Sequence, residues 1–292
     1  MSSKSNIYFG SCSWKYDSWK GLVYPHFDKI NYLEEYAKQY RSVEVDQWFW
    51  ALFAPGSPPA LPKLKDIEEY NAATPRDFKF TIKAPNSVSL THHYPRYTGG
   101  KMAENEYFLS PELWGKFIDS LGALKEKTGA VILQFEYLNK QKMPAQSIFL
   151  KKLEDFFTAI PRDVPVAVET RNPYYLNKEF FTFLHDQELI PVFLQGYYMP
   201  PVFPVIEKFR NLLPKSMIIR LHGPDRQGME EKTNGVWNKI IAPKDEELQN
   251  LARLLGVLSE AGTEVYVNVN NHYEGSAPIT IQKIETLMGA GA

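Results

Sequence analysis

Apolar positions along this chain fall into two alternating rhythms. Short runs rich in β-branched and aromatic residues predict strands at Ile7–Ser11, Ser42–Asp46, Phe78–Lys83, Ala130–Phe135, Val164–Glu169, Ile190–Leu194, Ser216–Leu221 and Glu264–Val269. Longer stretches between them predict helices at Tyr32–Tyr40, Pro62–Asn71, Pro111–Lys127, Ala145–Ala159, Lys178–Gln187, Val205–Leu212, Asp245–Ala261 and Ile279–Leu287. In Lys178–Gln187 the residues Phe180, Phe181 and Leu184 share one side. Asp245–Ala261 carries Leu248, Leu251, Leu254, Leu255 and Leu258 at helical spacing, and Gly262 follows where a C-terminal cap belongs.

Eight strands alternating with eight helices, with no break in composition between the halves, predict a single (β/α)8 TIM-type barrel over residues 1–292. The rival is a doubly wound open sheet, whose first turn is usually glycine-rich. Gly10-Ser11-Cys12-Ser13-Trp14 is no such fingerprint. The long connections Gln47–Pro62 and Ala84–Pro111 and the Pro-rich loop Gly196–Pro204 follow strands, so in a barrel they fold over the C-terminal mouth.

The strands end in paired polar residues two positions apart: Glu44 and Asp46, Thr81 and Lys83, Glu169 and Arg171, Arg220 and His222, Asn268 and Asn270. Side chains at i and i+2 of a strand point to the same face, so each pair is aimed together. With Gln134, these pairs line the interior of a barrel with three carboxylates against three cations. Such a balanced set must form a network or contact a ligand, because an unpaired buried ion costs several kcal/mol, roughly.

Bulk numbers narrow the function little. The formal net charge of −1 gives no general attraction for nucleic acid, though it leaves room for a local basic pocket. The lone Cys12 rules out an internal disulfide and any multi-cysteine metal site. No run reaches the length of a membrane helix, and the first residues show no secretory h-region, so a cytoplasmic location and no membrane partner are expected. The oligomeric state is open.

A further set of residues has a familiar order. Gly10-Ser11-Cys12-Ser13-Trp14 is followed by Trp19-Lys20-Gly21 and Tyr24-Pro25, then Val43-Glu44-Val45-Asp46, Phe80-Thr81-Ile82-Lys83-Ala84-Pro85 and Thr91-His92. Leu133-Gln134-Phe135, Val168-Glu169-Thr170-Arg171, Arg220-Leu221-His222-Gly223 and Asn270-Asn271-His272-Tyr273-Glu274-Gly275-Ser276-Ala277-Pro278 complete it. Together they closely resemble the YecE-like family, domain of unknown function 72. The resemblance implies a TIM-type barrel and brings no reaction with it. Trp48-Phe49-Trp50 and Thr170 depart from the family's usual residues and imply a variant pocket wall.

The residues themselves suggest acid–base chemistry on a small anionic, phosphorylated or sugar-like molecule. Glu169 and His222 are the candidate proton-transfer groups, and Glu44 and Lys83 complete the candidate catalytic set. Lys83 would hold a phosphate or, if desolvated, form a Schiff base, although pairing with Glu44 is its expected state. Arg171, Arg220, Gln134, Asn268, Asn270, Asn271, His92, Asp46 and Trp14 are the candidate substrate-binding residues. The loops that begin His222-Gly223 and Asn270-Asn271 are the expected phosphate site, with Gly223 permitting close backbone approach. The rival for Asn270 and Asn271 is capping of a turn and of the helix that follows.

No metal and no cofactor are expected. Glu44, Asp46, Glu169, His92 and His222 have no recognised ligand spacing, and three cations oppose a divalent ion. Cys12, with no basic neighbour in sequence, is not expected to be a nucleophile. Alternatives are a metal-dependent phosphodiester hydrolase acting on nucleic acid, a non-catalytic ligand-binding module, and an ion-pair layer that only ties strands together.

Overall fold

The computed structural model describes residues 6–26 and 29–290. Its strands are β1 (Ile7–Ser11), β2 (Ser42–Val45), β3 (Lys79–Lys83), β4 (Thr128–Gln134), β5 (Val166–Glu169), β6 (Ile190–Gly196), β7 (Ser216–Gly223) and β8 (Glu264–Val269). They form one parallel sheet in the order β1-β8-β7-β6-β5-β4-β3-β2, so the first strand pairs with the last. This is the expected (β/α)8 barrel. Among the described residues no helix is long and apolar enough to cross a membrane.

The helices are α1 (Tyr32–Ala37), α2 (Leu64–Ala72), α3 (Asn86–Ser89), α4 (Pro111–Ser120), α5 (Gln146–Ala159), α6 (Lys178–Asp186), α7 (Val202–Phe209), α8 (Arg226–Thr233), α9 (Asp245–Glu260) and α10 (Ala277–Ala290). The expected helix over 111–127 stops at Ser120. Gly122 takes φ +48°, and the chain continues to Lys127 as a tighter 3-10 turn. Helix α7 begins at Val202, inside the stretch expected as loop, because Pro201 and Pro204 are both compatible with a helix start. Gly262, at φ +72°, follows α9 as expected.

Two apolar cores result. The larger lies between the strands and the helical sheath and includes Phe180, Phe181, Leu184, Leu248, Leu251 and Leu255. The smaller fills the lower lumen with Ala130, Ile132, Ala167, Ile190, Val192, Ile218 and Tyr266, and Tyr8 packs against it. Tyr8 and Tyr266 stack with centroids 5.0 Å apart. These residues fix which alternate positions point inward. Continued up each strand, the same alternation aims Cys12, Glu44, Lys83, Gln134, Glu169, Arg220 and Asn268 into the upper lumen.

The ring closes between β1 and β2 without a backbone ladder. The Tyr36 hydroxyl of α1 fills the gap, accepting from Ser11 N (2.8 Å) and donating to Ser42 O (3.0 Å). Gly10 makes this approach feasible, since a Cβ there would lie 2.3 Å from Ser42 O. Tyr36→Phe keeps the ring but leaves the Ser11 amide without its acceptor, so a loss of about 1–3 kcal/mol is expected in chemical denaturation. A loss below about 0.5 kcal/mol would show that the seam does not depend on the phenol.

Candidate functional site

Arg220, only 2% exposed, sits at the centre of the upper lumen. Its Nε and Nη2 donate to the two oxygens of Glu44, both at 2.7 Å, a forked pairing that suits a planar guanidinium. Its Nη1 donates to Glu169 Oε2 at 2.6 Å and to Gln134 Oε1 at 3.2 Å. Asn268 Nδ2 adds donations to Glu44 Oε2 (3.0 Å) and Thr81 Oγ1 (2.9 Å). Arg171 Nε completes the layer by donating to Glu169 Oε1 at 2.6 Å.

This geometry alters the expected roles. Arg220 is committed to the two carboxylates and presents no open cation for an anion, and Gln134 accepts from it through Oε1. Burial pushes the Glu169 carboxyl up, but Arg171, Arg220 and Lys83 outweigh it and keep the group below the usual carboxylate range. Held by two arginines, Glu169 is poorly placed to move protons. His222 is buried, and burial with Arg220, Arg171 and Lys83 nearby drives its pKa well below the usual value, so it is a neutral imidazole.

Lys83 corrects a specific expectation. It does not pair with Glu44, whose oxygens already serve Arg220 and Asn268. The ammonium lies over the Phe49 ring, 3.7 Å from the centroid, and has no hydrogen bond or ion pair among the described residues. Burial, reinforced by Arg220, lowers its pKa to about 8 against the pull of Glu44, Glu169 and Asp46. Asp46, at the end of β2, moves the other way. Asp46 is exposed at the mouth, and partial desolvation by the surrounding protein together with the neighbouring Glu44 raises its carboxyl, opposed by Lys83 and Arg220. Val45 is paired with Ile82, so Asp46 and Lys83 are the next neighbours along that ladder.

Two further site neighbours are placed by the fold. Cys12 Sγ lies 3.6 Å from His222 Nε2, so a basic group does reach it through the fold. Burial and Glu44 raise the thiol pKa well above its usual value, which keeps it protonated and a poor nucleophile. Cys12, Glu44 and His222 come within 4.8 Å of one another, but the Glu44 oxygens are committed to Arg220 and Asn268, so the cluster offers no open ligand set. Tyr197 is the second neighbour. Its backbone takes φ +52°, its hydroxyl lies 3.4 Å from His222 Nδ1, and the Arg171 guanidinium sits 5.1 Å from its ring centroid.

The expected phosphate loops are filled by protein. A Cβ on Gly223 would lie 2.6 Å from His272 O, so the close backbone approach is to the loop after β8. Asn271 Oδ1 accepts from Ala277 N at the start of α10, and Asn270 Oδ1 accepts from His272 N, which is the capping alternative. His92 contacts its neighbour's hydroxyl, Thr91 Oγ1. Its buried neighbour His93 is the residue that ties loops together, through Phe53 O (2.8 Å) and Glu106 (2.7 Å). The two long loops over the mouth are further joined where Asn86 Oδ1 accepts from Ala51 N and Leu52 N.

Beside the mouth lies a cavity of about 700 Å³ walled by Trp14, Tyr70, Asp46, Glu34, Asp66 and Glu69. Trp14 meets Tyr70 edge-on at 5.0 Å. Carboxylates and aromatic faces suit hydroxyl-bearing groups and repel phosphate. Lys15 also lines this cavity, whereas Lys83 and the outer nitrogens of Arg171, whose donors are uncommitted among the described residues, belong to β3 and the end of β5.

A structural hub and a ligand-binding cation respond differently to removal. Arg220→Met leaves two buried carboxylates without their shared partner and is expected to cost about 3–5 kcal/mol. Arg171, 21% exposed, leaves Glu169 with Arg220, so Arg171→Met is expected to cost under about 1 kcal/mol. Guanidinium denaturation of the two variants checks the order, and equal losses would refute the distinction.

The same fold recurs in known proteins. A DUF72 protein from Enterococcus faecalis V583 superposes with a TM-score of 0.68 at 20% identity, covering 97% of this chain and 95% of that one. A DUF72 protein from Thermotoga maritima MSB8 gives 0.65 at 22% identity, covering 97% and 99%. No curated protein matches the chain. The model of the family described as "Protein of unknown function DUF72" matches residues 8–292, and the chain belongs to that family.

Proposed function

We propose that this chain is an enzyme that uses acid–base chemistry on a small anionic, sugar-like substrate at the mouth of the barrel. The observation that carries the reading is the pair of cations left with free donors, Lys83 and Arg171, above a layer whose other charges are all matched. A buried ammonium without a partner is costly, and an anionic substrate supplies the missing charge. The carboxylate and aromatic wall that includes Asp46, Trp14 and Tyr70 takes the hydroxylated part.

Proton transfer falls to Asp46 more than to Glu169. Its carboxyl is raised toward the protonated form, whereas Glu169 is held low between two arginines and stays ionised. Neutral His222 serves as a hydrogen-bonding group facing the same lumen.

A thermal-shift panel of sugar phosphates, sugar acids, neutral sugars and divalent metals tests the reading. A ligand at a hundredfold excess over its Kd stabilises by about 2.7 kcal/mol, or about 5 °C for a chain of this size. At least one sugar phosphate or sugar acid is expected to do so, and Arg171→Ala should abolish the shift. Stabilisation by metal alone would favour the metal-dependent hydrolase, and a flat panel would overturn the reading.

A further inference from the structure

We propose that Lys83 is a covalent catalyst whose amine condenses with the carbonyl carbon of an aldehyde or ketone substrate to form an imine. The inference rests on the anionic, sugar-like substrate proposed above and names its reactive group. Open-chain sugars, uronic acids and keto sugar acids carry such a carbonyl.

Geometry carries the argument. A lysine that serves a structural role in a polar lumen is normally held by a carboxylate. Here both oxygens of Glu44 and both of Glu169 are bound by arginines, and Lys83 faces the Phe49 ring instead. The side chain is 7% exposed, yet Nζ is not among the sealed, partnerless polar atoms of the interior. An amine so placed is reachable from the mouth while solvated too little to favour its charged form. The charged and titratable groups acting on it are Arg220 from β7, Glu44 and Asp46 from β2, and Glu169 from β5.

The step balances without a further reagent. The neutral amine donates its lone pair to the carbonyl carbon, and the carbonyl π electrons pass to oxygen. Oxygen takes a proton, nitrogen releases one, and a carbinolamine results. Its C–O bond then breaks as the nitrogen lone pair forms C=N, and the hydroxyl leaves as water once it is protonated. Asp46, just past the last pair of the β2–β3 ladder, is the proton donor for that departure, and its carboxylate then faces the iminium that forms on nitrogen. An iminium on Lys83 withdraws electrons from the adjacent carbon, which is the activation that proton abstraction or C–C cleavage requires.

The test uses the full chain with glyoxylate, an anionic aldehyde, and propionaldehyde, a neutral one, each with cyanoborohydride to reduce any imine. Peptide mapping then locates the alkylated lysines. Glyoxylate is expected to label Lys83 about tenfold faster than the average exposed lysine at neutral pH, because an ordinary lysine stays protonated until about pH 10.4. The rate at Lys83 should climb as pH passes through about 8. Asp46→Asn should slow labelling while leaving the melting temperature near that of the wild type.

Exposed lysines labelled with Lys83 untouched would overturn the imine proposal. If sugar phosphates or sugar acids still raised the melting temperature through Arg171, the anionic-substrate reading would survive that result. Labelling of Lys83 at equal rates by both aldehydes, with no anion stabilising the fold, would keep the amine and discard the anion.

Discussion

One guanidinium organises the upper half of this barrel. Arg220 reaches across the lumen to Glu44 and Glu169, residues 176 and 51 positions away in sequence, and satisfies both. Desolvating three charges is expensive, and the cost is offset because each nitrogen of the fork donates to an acceptor. The rest of the site follows from that arrangement. Glu44 is closed to Lys83, Glu169 stays ionised, His222 stays neutral, and the charge left over appears at Lys83.

The strand ends of the sequence therefore hold two kinds of polar residue that look alike on the page. One set, made of Arg220, Glu44, Gln134 and Asn268, replaces the apolar layers that normally fill a barrel. The other, made of Lys83, Arg171 and Asp46, stands nearer the mouth with unfilled capacity. The rival view of the polar layer as a strand-tying network holds for the first set. The second is the set proposed above for chemistry.

Much of this was legible in the residues. The barrel follows from eight alternations of period, and the inward direction of Glu44, Lys83, Glu169, Arg220 and Asn268 follows from a repeat of two. Extending that repeat by one step along β1 from Gly10 would also have reached Cys12. Partner choice was not legible. Nothing local says that Glu44 prefers Arg220 to Lys83, because the decision depends on fork geometry across the lumen. Helix α8 escaped because Arg-Gln-Gly-Met-Glu-Glu-Lys-Thr has no apolar face, and α3 because four residues are too few to show a period. Tyr197 enters the site through a left-handed backbone in a loop, for which the sequence around it gives no sign.

The pairing of β1 with β8 carries a consequence for the order of assembly during synthesis. Ile7–Ser11 forms its ladder with Val265–Val269, so the first strand waits for the last. Glu44 and Glu169 likewise emerge from the ribosome before Arg220 exists to receive them. Until then Glu44 lacks the guanidinium that takes both its oxygens and Glu169 has only Arg171, which disfavours premature closure around a partial set of strands. The same guanidinium that settles the finished site thus acts as a late signal that the barrel is nearly complete.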